Sequence, residues 1–308
     1  MAHIGRFAPS PTGPLHIGSL LAAVASYLDA KANGGRWLLR LEDLDPPREL
    51  KGAADTILKQ LEELGLHWDG EVLRQSSRLD AYNEALQKLW DDGLCFHCDC
   101  TRPKVRAMGS VYNGHCRTRK DQNKRSSAIR LRTRNDEIAF DDRVFGSIRQ
   151  KLEQEVGDFI IKRKDGLFAY QLAVVIDDSF QKISHVMRGF DLLDSTPRQI
   201  YLQQLLNLPT PHYAHIPLVV DDQGQKFSKQ QFAKAIDSTR GSELIHTALM
   251  LLNQPLPPEI QKLPPQEILA EATACWDIQT IPKLANIPFR EADTSSLESA
   301  SACDLTAT

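Results

Sequence analysis

Six residues near the start of the chain, Pro9-Ser10-Pro11-Thr12-Gly13-Pro14, constrain the fold more than any other stretch. A proline fixes φ at about −65° and removes a backbone donor, and the residue before it is pushed out of the helical region. No regular element can therefore cross this segment. Ahead of it, Gly5 to Ala8 is short and apolar, as a strand would be. Behind it, Ile17, Leu20, Leu21, Val24, Tyr27 and Leu28 recur at helical spacing, and Gly34-Gly35 supplies the stop expected past a helix C-terminus. Trp37 to Leu41 then reads as a buried strand ending at Glu42-Asp43. Strand, turn, helix and strand make a βαβ unit. That unit predicts an α/β fold with a Rossmann-type parallel sheet, its site lying at the strand ends and the first helix N-terminus.

Two amphipathic helices are expected next, carrying the stripes Ala53, Ile57, Leu58, Leu61, Leu64 and Leu79, Tyr82, Leu86, Leu89, Trp90. Residues 95–134 break the pattern, and apolar runs at Phe159-Ile160-Ile161 and Ala173 to Ile176 predict that the sheet then resumes. Leu218-Val219-Val220 and the turn Asp221-Asp222-Gln223-Gly224 read as a strand and hairpin leading into a lysine-bearing loop. Beyond Arg240 about seventy residues remain, with a helix over Leu244 to Leu252, a bend at Pro255 to Pro258 and a Ser/Ala/Thr-rich tail.

Met1 to Gly18 holds no apolar stretch ahead of a small-residue cleavage site, and Leu20 to Ala25 is too short to span a bilayer. The expected compartment is the cytoplasm, without membrane association. In that compartment six cysteines argue against a disulfide framework, and the crowding of Cys95, Cys98 and Cys100 suggests a metal. The net charge of −3 hides a local bias, since residues 102–134 contain eleven Lys or Arg and a single acid, Asp121. Such a surface can contact nucleic-acid phosphates.

Three constellations carry chemistry. His16 and Gly18 open the first helix, where backbone N–H groups and the dipole favour a phosphate; His16 can donate to an oxygen gaining charge, and Gly18 lets a nucleotide lie on the backbone. Lys226 and Lys229, in Lys226-Phe227-Ser228-Lys229-Gln230, can bring mobile positive charge onto a triphosphate. Cys98, Cys100 and Cys116, with His97 and His115 nearby, offer three thiolates for a tetrahedral zinc shell, His115 being the chemically ordinary fourth donor.

Together the first two constellations resemble the ATP-site motifs of class I aminoacyl-tRNA synthetases. Arg6-Phe7-Ala8-Pro9-Ser10-Pro11-Thr12-Gly13, Leu41-Glu42-Asp43-Leu44-Asp45, Val175-Ile176-Asp177-Asp178 and Arg188-Gly189-Phe190-Asp191-Leu192-Leu193 are similar to the glutamyl catalytic domain, in order, over roughly residues 4–235. The resemblance implies a glutamate pocket of Arg6, Phe7, Ala8, Pro9, Ser10, Glu42, Tyr170 and Arg188, with Glu42 facing the ammonium and the arginines facing carboxylates. It implies an ATP site at His16, Gly18, Ser19 and Lys229, magnesium arriving with ATP, and catalysis by His16, Gly18, Lys226 and Lys229. It favours Tyr112 over His115 beside Cys98, Cys100 and Cys116 as a zinc ligand. The chain departs from the pattern at Ser19, Phe227 and Gln230, and at Val174, where an asparagine is usual, so the pocket is expected to hold glutamate differently.

The implied organisation is a first catalytic half over 1–94, a zinc-bearing acceptor-type insertion over 95–165, a second catalytic half over 166–238 and a short helical segment over 239–308. Too few residues follow for an anticodon-binding domain. With the Cys-x-Cys and Tyr-x-x-x-Cys pattern and Val174, this resembles the truncated glutamyl paralogs that modify queuosine in the anticodon of tRNA(Asp). The expected partners are ATP, L-glutamate and tRNA(Asp) carrying queuosine, with glutamate activated before tRNA binds and the enzyme acting as a monomer. Alternatives are a truncated synthetase charging the 3′ end of tRNA(Glu) and a non-catalytic, zinc-stiffened tRNA-binding protein.

Overall fold

A computed structural model describes residues 2–109, 111–120, 126–221, 223–224, 235–254, 257 and 259–289. The chain opens as its prolines require. Strand β1 (Ile4–Phe7) stops at the proline-rich turn, in which Gly13 takes a φ of 148°, and helix α1 (Ile17–Ala32) starts beyond it. Strand β2 (Arg36–Leu41) returns parallel to β1, with Arg6 opposite Leu38. Helix α2 (Ala53–Glu63) leads to the short strand β3 (Leu73–Arg74), which joins β2 in parallel, and helix α3 (Leu79–Asp91) follows.

The next stretch is antiparallel. Strands β4 (Cys95–Cys98), β5 (Ala128–Leu131) and β8 (Phe159–Lys162) form one small sheet, with helix α4 (Arg102–Ala107) between the first two. Between β5 and β8, strands β6 (Glu137–Asp142) and β7 (Gly146–Lys151) make a hairpin, followed by the single turn α5 (Leu152–Glu155). Helix α6 (Tyr170–Phe180) then leads to β9 (His185–Gly189), helix α7 (Thr196–Leu206) and β10 (His212–Ile216). Strand β10 pairs in parallel with β9 and, at Tyr213 and Asp142, with β6. The Ser184 N–H donates to the Ile4 carbonyl at 3.0 Å, which sets β1 beside β9 and brings the two parallel groups edge to edge.

Side chains alternate across this platform as strand geometry demands. Trp37, Leu39, Met187, Ala214 and Ile216 pack with α1, helix α8 (Gly241–Leu251) and helix α9 (Pro265–Ala274) on one face. Leu38, Val186 and Tyr213 pack with α3, α6 and α7 on the other. Burying both faces in this way is what an α/β sheet requires.

One expectation is corrected. Ala173 to Ile176 is helical, inside α6. Leu172 to Val175 are at most 1% exposed, and a short run buried on all sides has no period to separate helix from strand. Strand β11 (Leu218–Val220) pairs in parallel with strand β12 (Asn286–Pro288), and the far arm of the expected hairpin, with the lysine-bearing loop, lies outside the described residues. Among the described residues no helix is long and apolar enough to cross a membrane.

Candidate active site and metal centre

The C-terminal ends of β1 and β9 diverge into α1 on one face of the sheet and α7 on the other. A crevice must open at such a point. It is a cleft of about 1170 Å³, and every described residue expected in the glutamate and ATP sites lines it: Arg6, Phe7, Ala8, Pro9, Ser10, Glu42, Tyr170 and Arg188, together with His16, Gly18 and Ser19. Lys226 and Lys229, with Phe227 and Gln230, lie outside the described residues.

At the helix start, the Ser19 N–H donates to His16 Nδ1 at 3.3 Å, while Ser19 Oγ accepts from the His16 N–H at 2.8 Å. The departure at Ser19 is thus half of a capping box. Because Nδ1 accepts, the neutral imidazole carries its proton on Nε2, the form that can donate to a phosphate oxygen.

The cleft floor is a buried charge network that the sequence reading had not assembled. Asp178 Oδ1 accepts from Arg6 Nε at 3.2 Å and from Arg40 Nη2 at 2.7 Å, and the same Arg40 nitrogen lies 3.9 Å from Glu42 Oε1. Burial pushes the Asp178 carboxyl up, but Arg6 and Arg40 outweigh it and hold it below the ordinary range. Glu42 goes the other way. Burial raises its carboxyl to about 7 despite Arg40 and Arg6, aided by Asp178 and Asp177. Arg188 is 4% exposed and donates through Nη1 to Tyr170 Oη at 3.3 Å and Gln199 Oε1 at 2.8 Å. The cleft therefore combines buried cations with one carboxyl poised near neutrality, a set suited to a ligand bearing carboxylates and an ammonium.

Arg40 and Asp178 were missed for different reasons. Arg40 sits within an apolar strand and is 0% exposed, whereas Asp178 was noted in a motif without a role. Its neighbour Asp177 faces away, accepting from Tyr82 Oη at 2.6 Å and Gln75 Nε2 at 2.8 Å to tie α6 to α3. At the cleft mouth, Asp45 Oδ2 accepts from Arg48 at 2.7 Å and Arg163 at 2.9 Å. Val174 does not line the cleft; it is fully buried among the residues of α3, α6 and α7.

The sulfurs of Cys98, Cys100 and Cys116 lie within 4.8 Å of one another, and all three residues are buried and free of disulfides. Cys98 Sγ is 3.6 Å from Tyr112 Oη, which also accepts the Cys116 N–H at 2.9 Å. His115 is exposed, and His97 Nδ1 bonds Ser127 Oγ at 2.8 Å. Gly157 makes the packing possible: a Cβ there would fall 2.3 Å from the Tyr112 carbonyl oxygen. Buried thiols crowded without cystine bonds fit a tetrahedral zinc donor set.

Much of the basic bias turns inward. Arg117 makes two bonds to Asp158, at 2.7 and 2.6 Å, Arg119 reaches Asp99 at 3.1 Å, and the Arg130 guanidinium lies 3.9 Å from the Tyr112 ring centre. Arg102, Lys104 and Arg106 on α4 remain exposed.

Residues 4–254 match the family described as tRNA synthetases class I (E and Q), catalytic domain. A protein of Ectopseudomonas mendocina named glutamyl-Q tRNA(Asp) synthetase is 50% identical over 282 residues, covering 92% of this chain and 96% of that one. A protein of the same name from Neisseria meningitidis serogroup C is 50% identical over 295 residues, covering 93% and 99%. Among solved structures, glutamate-tRNA synthetase from Elizabethkingia anophelis superposes with a TM-score of 0.81 at 23% identity, over 96% of this chain and 69% of that one, a likeness of fold.

Proposed function

The chain belongs to the class I tRNA synthetases of the E and Q branch, which makes it a ligase, and from that premise we propose that it activates glutamate with ATP and passes it to queuosine in tRNA(Asp). The observation that carries the activation step is the single cleft in which Arg6, Arg188 and Glu42 meet His16 and Gly18. The acceptor is inferred from the relatives' shared name, glutamyl-Q tRNA(Asp) synthetase, at about half identity over nearly their whole length.

In this reading Arg188 and Arg6 take the two carboxylates of glutamate, and ionised Glu42 takes its ammonium. An oxygen of the α-carboxylate attacks the α-phosphorus of ATP, and the bond to pyrophosphate breaks. His16 Nε2–H and Lys229 stabilise charge on the phosphate oxygens, and Lys226 assists. Magnesium accompanies ATP and screens its phosphates. In the second step a hydroxyl of the queuosine cyclopentenediol loses its proton and attacks the activated carbonyl, forming an ester as AMP leaves. Lys229→Ala is expected to reduce exchange by about 10²- to 10³-fold while the fold persists; a wild-type rate would remove Lys229 from this role.

Zinc would be held by Cys98, Cys100, Cys116 and the Tyr112 oxygen, a closed shell that stiffens the β4–β5–β8 unit and performs no chemistry. The exposed cations of α4 supply an RNA-facing surface. The same reading has the enzyme act in the cytoplasm as a monomer.

The test is glutamate-dependent exchange between ATP and pyrophosphate without tRNA, followed by transfer of labelled glutamate to tRNA(Asp) with and without queuosine. Exchange with queuosine-dependent transfer supports the reading. Transfer only to the 3′ end of tRNA(Glu) means a conventional acceptor, and no exchange under any condition means a binding protein.

A further inference from the structure

Arg188 differs from the other buried arginines of the cleft in what holds it. Arg6 and Arg40 are paired with Asp178. The five N–H groups of Arg188 go to neutral acceptors: Nε to His215 Nε2 at 3.1 Å, Nη1 to Gln199 and Tyr170, and Nη2 to Thr196 Oγ1 at 2.6 Å and the Leu192 carbonyl at 3.4 Å. Among the described residues no carboxylate lies within ion-pairing distance of it. The acid that could have neutralised it, Asp142, stands one residue further back, with its Oδ2 at 2.6 Å from His215 Nδ1.

The hydrogen-bond inventory fixes the state of that imidazole. An arginine Nε can only donate, so His215 Nε2 must be bare. The ring proton therefore sits on Nδ1 and points at Asp142. Asp142 cannot turn away, because its Oδ1 accepts the backbone N–H groups of Val144, Phe145 and His215 at 3.0, 2.9 and 3.3 Å. His215 and Asp142 side chains are both 0% exposed. The charged and titratable groups facing the ring are Asp142 from β6, Arg188 from β9, Arg6 from β1 and Tyr213 from β10 itself. Burial and the two arginines oppose protonation, Asp142 favours it, and the net direction is downward.

We propose that His215 is a positioning residue for glutamate: it is a neutral spacer that orients Arg188 while keeping Asp142 from quenching its charge, so that a substrate carboxylate becomes the guanidinium's only ionic partner. This rests on the reading of the cleft as a glutamate pocket. An arginine that shares its charge with a carboxylate, as Arg6 does through Nε with Asp178, attracts a second one less strongly, whereas one held by an imidazole, an amide and hydroxyls keeps its full charge in a buried setting.

The test compares glutamate KM, ATP KM and kcat in pyrophosphate exchange for the full-length wild type and three variants, with the ring tautomer read by 15N NMR of labelled histidine. His215→Leu leaves Arg188 Nε without an acceptor, and is expected to raise glutamate KM about 10- to 100-fold, the range for one hydrogen bond to a charged group, with ATP KM unchanged. His215→Gln can place an amide oxygen at the Nε2 position and is expected to restore most of the affinity. Asp142→Asn is nearly isosteric; the three backbone donors hold its oxygen, so its NH₂ faces Nδ1 and drives the proton to Nε2, against Arg188. That variant is expected to show the reversed tautomer and a raised glutamate KM. Equal damage from Gln and Leu, a parallel rise in ATP KM, or a wild-type ring protonated on Nε2 would overturn the proposal. If the wild type showed no exchange at all, the glutamate reading would fail with it, yet the NMR tautomer would still decide whether His215 is the neutral spacer described.

Discussion

Glu42 makes the most demanding prediction, because its carboxyl is raised to about 7, inside the working pH range. Burial is the main cause, and Arg40 and Arg6 only partly offset it. A substrate ammonium pairs with the carboxylate and not with the acid, so glutamate affinity should follow the ionised fraction: roughly 0.9 at pH 8, 0.5 at pH 7 and 0.1 at pH 6. The expected consequence is a Kd that rises about tenfold from pH 8 to pH 6, with release of about half a proton per glutamate bound at pH 7. Calorimetry in buffers of different ionisation enthalpy measures both quantities. Glu42→Gln should abolish the proton release and weaken binding about 10- to 100-fold at pH 8. Stability moves oppositely. Between pH 4.5 and about 7 the native chain holds a proton that the unfolded chain has lost, so stability falls as pH rises through that window. The gap corresponds to at most about 3 kcal/mol, which Glu42→Gln should recover at pH 8. A wild-type Kd flat from pH 6 to 8 with no proton released would refute the reasoning.

The thiol cluster predicts one zinc per chain by mass spectrometry and a lowered melting temperature on chelation. Tyr112→Phe should weaken zinc retention and His115→Ala should not, since Tyr112 Oη lies 3.6 Å from Cys98 Sγ whereas His115 is exposed. At the N-terminal starts of β1 and β9, opposite the cleft, the His3 and His185 rings stack with centres 3.6 Å apart beside Asp29 and Arg143. Burial, with His3 and Arg143, lowers His185 to about 4, so the unfolded chain takes up the proton first and stability should fall as pH drops from about 6.5 to 4. Asp29 resists burial through His3 and Arg143 and is held at about 2, so its contribution is present above pH 3.8 and lost below. Urea melts across pH 3 to 7 check both, and His185→Gln should flatten the upper part.

The contrast between what could and could not be read from the residues has a physical basis. The turn at Pro9 to Pro14 was legible because proline and glycine act locally: the same φ restriction that stops β1 also starts α1, and the His16 cap follows within two residues. The Cys98–Cys100–Cys116 cluster was legible because few other reasons exist to bury three free thiols so close in sequence. Ala173 to Ile176 failed because complete burial erases periodicity, leaving a helix that looks like a strand. The Asp142–His215–Arg188 chain was invisible for a deeper reason. Its members lie on three strands, β6, β10 and β9, and they meet only because Tyr213 pairs with Asp142 while His215 pairs with Arg188. A one-residue slip of β10 would turn the imidazole to the other face of the sheet and leave both Asp142 and Arg188 buried without it. The register of the sheet therefore carries information about substrate charge that no local motif contains, and Arg188, recognisable on its own, becomes a usable cation only through that register.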